Sequence, residues 1–165
     1  MSPNRKSTKT LYVKSFIFGV EDSLVSTVGL LSGITVAGIG RSEILLAGIV
    51  LIFVEAFSMG VGSYLSEQSV EEFEKEKHFR SVPGAVIMFF SYFVSGFIPL
   101  APYLFTKPAF ALPSSIAASF VTLFVLGVVS AGMFKIDRTK QGVRMVVVGG
   151  AAILIGVIVG NAVRT

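Results

Sequence analysis

Ile44 to Ser66 reads ILLAGIVLIFVEAFSMGVGSYLS, an apolar run broken by a single charge, Glu55. At 1.5 Å per residue, such a run rises far enough to cross roughly 30 Å of hydrocarbon. Four more runs of similar length flank it, at about Ser15–Ala37, Pro83–Phe105, Leu112–Phe134 and Val143–Val163. The chain of 165 residues is 53% hydrophobic and only 15% charged, with a mean hydropathy of +0.80, whereas an average soluble domain is roughly 25% charged. An ordinary soluble domain is therefore excluded. The expected fold is an all-α membrane protein of five transmembrane helices in contact with the lipid bilayer. Residues 1–14 form a cytoplasmic tail, residues 15–165 one domain, and residues 67–82 a short acidic helical connection.

The breaks carry turn chemistry: Gly38-Ile39-Gly40-Arg41 after the first run, Lys107-Pro108 and Pro113 after the third, and Lys135 to Gln141 after the fourth. The first run follows Arg5, Lys6, Lys9 and Lys14 in the manner of a secretory signal. It is too long for one and carries Glu21 and Asp22, so no cleavable segment is expected. Orientation follows from Lys and Arg, which concentrate in cytoplasmic flanks. All of them except Arg41, Lys107 and Arg164 fall in the N-terminal tail, the 67–82 connection or the 135–144 connection. An odd number of spans puts those three segments on one side, which gives a cytoplasmic N-terminus and an outside or lumenal C-terminus. Because the basic residues lie in short flanks and not on one face, the net charge of +4 does not indicate nucleic acid as a partner.

With no cysteine and a single histidine, thiolate sites, cysteine nucleophiles and most acid–base or metallohydrolase schemes drop out. There is no Gly-rich phosphate loop, Ser/His/Asp set or HExxH motif. The chain is expected not to be an enzyme. Its informative residues are acids in apolar runs, where a bare carboxylate costs several kcal/mol unless it faces a cavity or a partner.

At 100° per residue, Asp22 falls on a stripe about 80° wide with Ser15, Gly19, Ser26, Gly29 and Gly33. Such a face suits close packing or a narrow aqueous path. In the second run Glu55, Met59, Gly62 and Ser66 share a face. The two spans run antiparallel, so counting from Ser15 and Ser66 puts Asp22 level with Met59, and Glu55 one turn deeper near Ser26. Glu21 points about 100° away from Asp22, toward another wall or a basic partner. Two carboxylates and a thioether together favour a divalent first-row ion, Fe(II) or Mn(II), with Zn(II) and Co(II) as further candidates, over Mg(II) or Ca(II). Packing is the alternative role for Met59.

On the connection, Glu67, Glu71, Glu74 and His78 lie on one helical face and are candidates to collect cations at the pore mouth. The alternative is a solvated helix with ion pairs from Glu71 to Lys75 and from Glu76 to Arg80. In the third span Ser91, Ser95, Pro99 and Pro102 suggest a kink whose freed carbonyls need partners inside the bundle.

The segment Gly19-Val20-Glu21-Asp22-Ser23-Leu24-Val25-Ser26-Thr27, followed by Leu30-Leu31-Ser32-Gly33, resembles the first signature span of the vacuolar iron transporter (VIT/CCC) family. Glu55 to Ser66, with its Ser58-Met59-Gly60 core, Gly62 and Tyr64-Leu65, resembles the second. Ile98-Pro99-Leu100-Ala101-Pro102-Tyr103-Leu104 and Gly149-Gly150-Ala151-Ala152 with Gly156 and Gly160 extend the likeness over nearly the whole chain. The resemblance implies a five-span homodimer that moves Fe(II) or Mn(II) out of the cytosol in exchange for protons. It holds no permanent cofactor, and its pore runs along the dimer interface. Asp22 and Met59 match the family's intramembrane metal-binding aspartate and methionine, with Glu55 and Glu21 as added acids. The membrane would be the cell's inner or plasma membrane in a prokaryote and a vacuolar-type membrane in a eukaryote. The sequence departs from the family pattern in having Glu21-Asp22-Ser23 where a small or amide residue followed by Asp-Gly is common. It also has a short connection where plant-type members carry a long acidic helical domain. A passive divalent-cation channel and a non-transporting membrane subunit remain as alternatives.

Overall fold

The computed structural model describes residues 3–74 and 81–164. Five helices follow in order, α1 Pro3–Val36, α2 Arg41–Glu74, α3 Ser81–Phe105, α4 Pro108–Phe134 and α5 Arg138–Val163. Each contains a stretch long and apolar enough to span a membrane. The protein is a multi-pass membrane protein of five transmembrane helices.

The turns use the residues expected of them. Gly38 takes φ +85° just past α1, a left-handed conformation that glycine adopts without steric cost. Pro108 opens α4, where its missing N–H would have had no partner anyway. Lys135 closes α4 in the left-handed region and donates its N–H to the Ala131 carbonyl. Asp137 caps α5 by accepting from the Lys140 N–H at 3.0 Å. Two boundaries differ from the sequence expectation. α1 begins at Pro3, so the described part of the tail is helical and continuous with the first span. Pro113 lies inside α4 and does not mark its start. Only the Ala109 carbonyl loses a partner there, in a turn whose geometry Pro108 has already set.

Helices adjacent in sequence are not always the ones that pack. α1 is the central element and lies chiefly against α3 and α5, while its contact with α2 is slight. Two clusters fill the bundle. Val20 and Leu24 of α1 meet Leu123, Leu126 and Met145; Leu31 of α1 meets Ile44, Ile52, Leu100, Tyr103 and Ala111. Lipid is as apolar as leucine, so association between spans depends on close van der Waals fit and hydrogen bonds. Between α1 and α5 the fit is set by glycine: a Cβ on Gly29 would lie 3.2 Å from the Ala152 carbonyl oxygen, and one on Gly33 would lie 2.7 Å from that of Gly156. Between α4 and α5, a Cβ on Gly127 would lie 2.6 Å from Gly142 Cα.

α3 continues through Pro99 and Pro102. Ser115 of α4 donates to the Pro99 carbonyl at 2.6 Å, and Thr106 Oγ1 to that of Pro102 at 2.6 Å. At the far end from the N-terminus, Arg41 donates from Nε to the Tyr103 carbonyl at 2.6 Å and from its second nitrogen to that of Leu104 at 2.8 Å. Arg164 donates to the Val36 carbonyl at 3.5 Å. Two of the three basic residues on that side thus neutralise the carbonyl ends of α3 and α1.

Candidate functional site: acids between α1, α2 and α3

Asp22 and Glu55 are both partly buried at mid-span and lie within electrostatic reach of each other. Glu21 senses the charge of its neighbour Asp22. α3 packs against both α1 and α2, which touch each other only slightly. Its anchor to α1 is a set of hydroxyls: Ser23 donates to the Tyr92 carbonyl at 2.7 Å, and Ser26 Oγ lies 2.7 Å from the Tyr92 phenol. Tyr92 is fully buried and within electrostatic reach of both Asp22 and Glu55.

Two grooves meet this region. The first, about 610 Å³, runs between α1 and α5 and is lined by Asp22, Ser26, Gly29 and Gly33 facing Ala152, Gly156 and Gly160. The second, about 600 Å³, opens between α1 and α2 and is lined by Lys14, Ser15, Phe18, Ser58, Met59, Gly62, Ser66 and Glu67, with Met88 from α3. Glu55 lies within electrostatic reach of Asp22, and Met59 lines the second groove with Ser15, Phe18 and Ser66.

The α1 stripe is divided: Gly19 is packed against Met88 and Ser91 of α3, while Asp22 and Ser26 line the α1–α5 groove together with Gly29 and Gly33, which also touch α5. α5 of the same chain supplies the facing wall of that groove. Its glycines present a flat backbone surface there.

Of the candidate cation collectors, Glu67 faces the second groove. Glu71 caps α3, accepting from the Ser81 N–H at 3.2 Å and the Ser81 hydroxyl at 3.3 Å. A carboxylate at a helix N-terminus is a stabilising arrangement, and it turns Glu71 toward α3. His78 and the Glu74 side chain lie outside the described residues, as do the ion pairs expected of Lys75, Glu76 and Arg80.

Among the described residues, no three Asp, Glu or His side chains converge on one point suited to a metal ion. Asp22 and Glu55 are two acids within electrostatic reach of each other. Outward from them, α2 presents Ser58, Gly62 and Ser66 exposed, and a Cβ on Gly62 would meet nothing within 4 Å. The sequence reading missed Tyr92. A tyrosine amid Phe89, Phe90, Phe93 and Phe97 reads as packing, yet a phenol at mid-span has to find a hydrogen-bond partner, and that requirement was the available signal.

A model of the VIT family matches residues 13–82 and 76–161, two segments that meet in the connection between α2 and α3. The vacuolar iron transporter 1 of Tulipa gesneriana is 23% identical over 221 aligned positions, covering 96% of this chain and 90% of that protein. That stretch is longer than this whole chain, so the tulip protein carries inserted residues relative to it. The vacuolar iron transporter homolog 2 of Arabidopsis thaliana is 24% identical over 162 residues, 90% of this chain and 83% of that protein. A vacuolar iron transporter of Toxoplasma gondii is 33% identical over 75 residues, 45% of this chain and 25% of that protein. With both signature spans and nearly its full length matched, the chain belongs to the VIT family.

Proposed function

We propose that the protein is a proton-coupled antiporter that exports Fe(II) and Mn(II) from the cytosol, with Zn(II) and Co(II) as further substrates. Movement of a metal ion across the membrane rests on family membership and on the iron-transporter names of its relatives. The choice of ion, the coupling and the direction are inferred from the site. The observation that carries the reading is the placement of Asp22 and Glu55 on different helices, at mid-span and within reach of each other. A membrane protein keeps such acids only where they meet a cation, a proton path or a partner.

In this reading the ion enters from the cytoplasmic side through the groove bearing Glu67 and Met59 and exchanges water for carboxylate oxygen at Asp22 and Glu55. Glu21 adds negative charge beside it. Metal and proton compete for the same lone pairs, so binding releases protons, and protonation from the opposite side releases the metal. Met59 supplies a soft donor that favours Fe(II). The names of the relatives favour a vacuolar-type membrane in a eukaryote, and the plasma or inner membrane is the counterpart in a prokaryote.

A second copy completes the site. Two acids and a thioether per chain are too few donors for a six-coordinate ion, and the exposed hydroxyl and glycine face of α2 is ill suited to lipid. A two-fold contact over that face doubles the donor set across one axis.

Purified protein in liposomes holding a metal-sensitive dye tests the proposal. Metal entry with stoichiometric proton movement is expected; metal entry without it indicates a channel, and no entry indicates a non-transporting subunit.

A further inference from the structure

Ser26 Oγ lies 2.7 Å from the Tyr92 phenol, a bond in which either oxygen can donate, and 3.4 Å from the Ser23 carbonyl, a long contact for a hydroxyl. A serine hydroxyl has one proton and two lone pairs, so whichever oxygen donates, at least one lone pair of Ser26 Oγ remains beyond these contacts. Ser26 lines the α1–α5 groove together with Asp22, one helical turn away.

A neutral oxygen acceptor beside two acids is suited to a particular task. Fe(II) and Mn(II) keep several waters when the protein offers few ligands, and the protons of a metal-bound water need acceptors in a site closed to bulk solvent. The acids take the charge of the ion, and a hydroxyl lone pair takes a water proton. We propose that Ser26 is a further oxygen of the metal site, accepting a hydrogen bond from a water on the ion, and that Tyr92 is the positioning residue that holds it there. The proposal rests on the metal-transport reading above. The same lone pair has no comparable use in a bond that only staples α1 to α3. That staple already exists in Ser23, which bonds the Tyr92 carbonyl independently of the phenol.

The fold contains its own comparator. Thr35 gives its proton to the Leu31 carbonyl at 2.6 Å and lies 2.8 Å from the Tyr103 phenol. The arrangement of hydroxyl, phenol and backbone carbonyl is similar, with a shorter bond to the carbonyl, nine residues further along α1 and away from Asp22 and Glu55. Tyr103→Phe thus measures the structural cost of losing such a bond.

Mn(II) is the probe, and loss of the free hexaaqua Mn(II) resonance on adding purified full-length protein measures binding without requiring transport. Tyr92→Phe keeps the ring and the carbonyl that Ser23 uses, so the helices stay in place. Tyr92→Phe and Ser26→Ala are each expected to weaken Mn(II) binding by about five- to tenfold. The double variant should be no weaker than Ser26→Ala alone, because Tyr92 acts through Ser26. Tyr103→Phe should bind as the parent does. Equal binding by parent and Tyr92→Phe, or an equal loss in Tyr103→Phe, overturns the proposal. Parent protein that binds Mn(II) in this pattern and moves none into liposomes sinks the transport reading and leaves the Ser26 assignment standing; parent that binds none sinks both.

Discussion

Gly33 of α1 and Gly156 of α5 meet backbone against backbone: a Cβ on Gly33 would stand 2.7 Å from the Gly156 carbonyl oxygen. Nothing flexible is present there to move aside, so a side chain at either position must part the helices. Gly33→Leu is expected to destabilise the protein by about 1–3 kcal/mol or more, read as a lower melting temperature in mild detergent. Unchanged melting would show that α1 and α5 do not pack as described.

Gly62 is the opposite case, with open space where its side chain would be. Gly62→Leu should leave the single chain folded and fail to form the dimer. A cysteine at Gly62 should crosslink to its twin in membranes, a clean readout because the protein has no cysteine of its own. Gly29 is a poor reporter, being buried against Ala152. A monomer mass for the parent together with no crosslink at Gly62 or Ser58 would remove the second copy from the site.

Thr27 is fully buried and its hydroxyl has no partner among the described residues. Replacing a desolvated, unpaired hydroxyl by a methyl of the same shape relieves its cost. Thr27→Val is expected to raise stability by about 1 kcal/mol, measured as a higher melting temperature, with transport unchanged. A fall in stability would mean that the hydroxyl is bonded after all.

These sites show what could be read from the sequence and what could not. Five spans and three misplaced acids were legible because hydropathy and charge are properties of single residues summed along a run. Glycines at 29, 33, 156 and 160 were visible as small residues, but their pairing belongs to two distant segments and only the fold reveals it. That α3 packs against both acid-bearing helices was not legible, because which helices meet is not a property of any one run. Glu71 looked like one of a row of solvated acids, and the serine that it caps lies ten residues on.

The topology has a direct test at two exposed sites. Cysteine at Ser42, on the Arg41 side, should react with an impermeant maleimide in intact cells, while cysteine at Thr139 should not. The reverse pattern would turn the protein over and reverse the direction of export.

Arg41 fixes the end of α3 with two donor groups in fork geometry, which a lysine cannot reproduce. Arg41→Lys is expected to cost about 1–2 kcal/mol of stability while leaving half-saturation for metal unchanged, because the cap lies far from Asp22. A selective loss of metal affinity would assign Arg41 to the ion path instead.

Proton coupling at Asp22 is the centre of the account. Liposomes containing both a Mn(II)-sensitive and a pH-sensitive dye, with Mn(II) added outside, measure both movements together. The parent should take up Mn(II) while protons leave the lumen in fixed proportion, and uptake should need more Mn(II) as the external pH is lowered, since protons occupy the carboxylates first. Asp22→Asn, similar in size and without the charge, should abolish both signals. Mn(II) uptake coupled to protons in Asp22→Asn at the parent's rate would contradict the account.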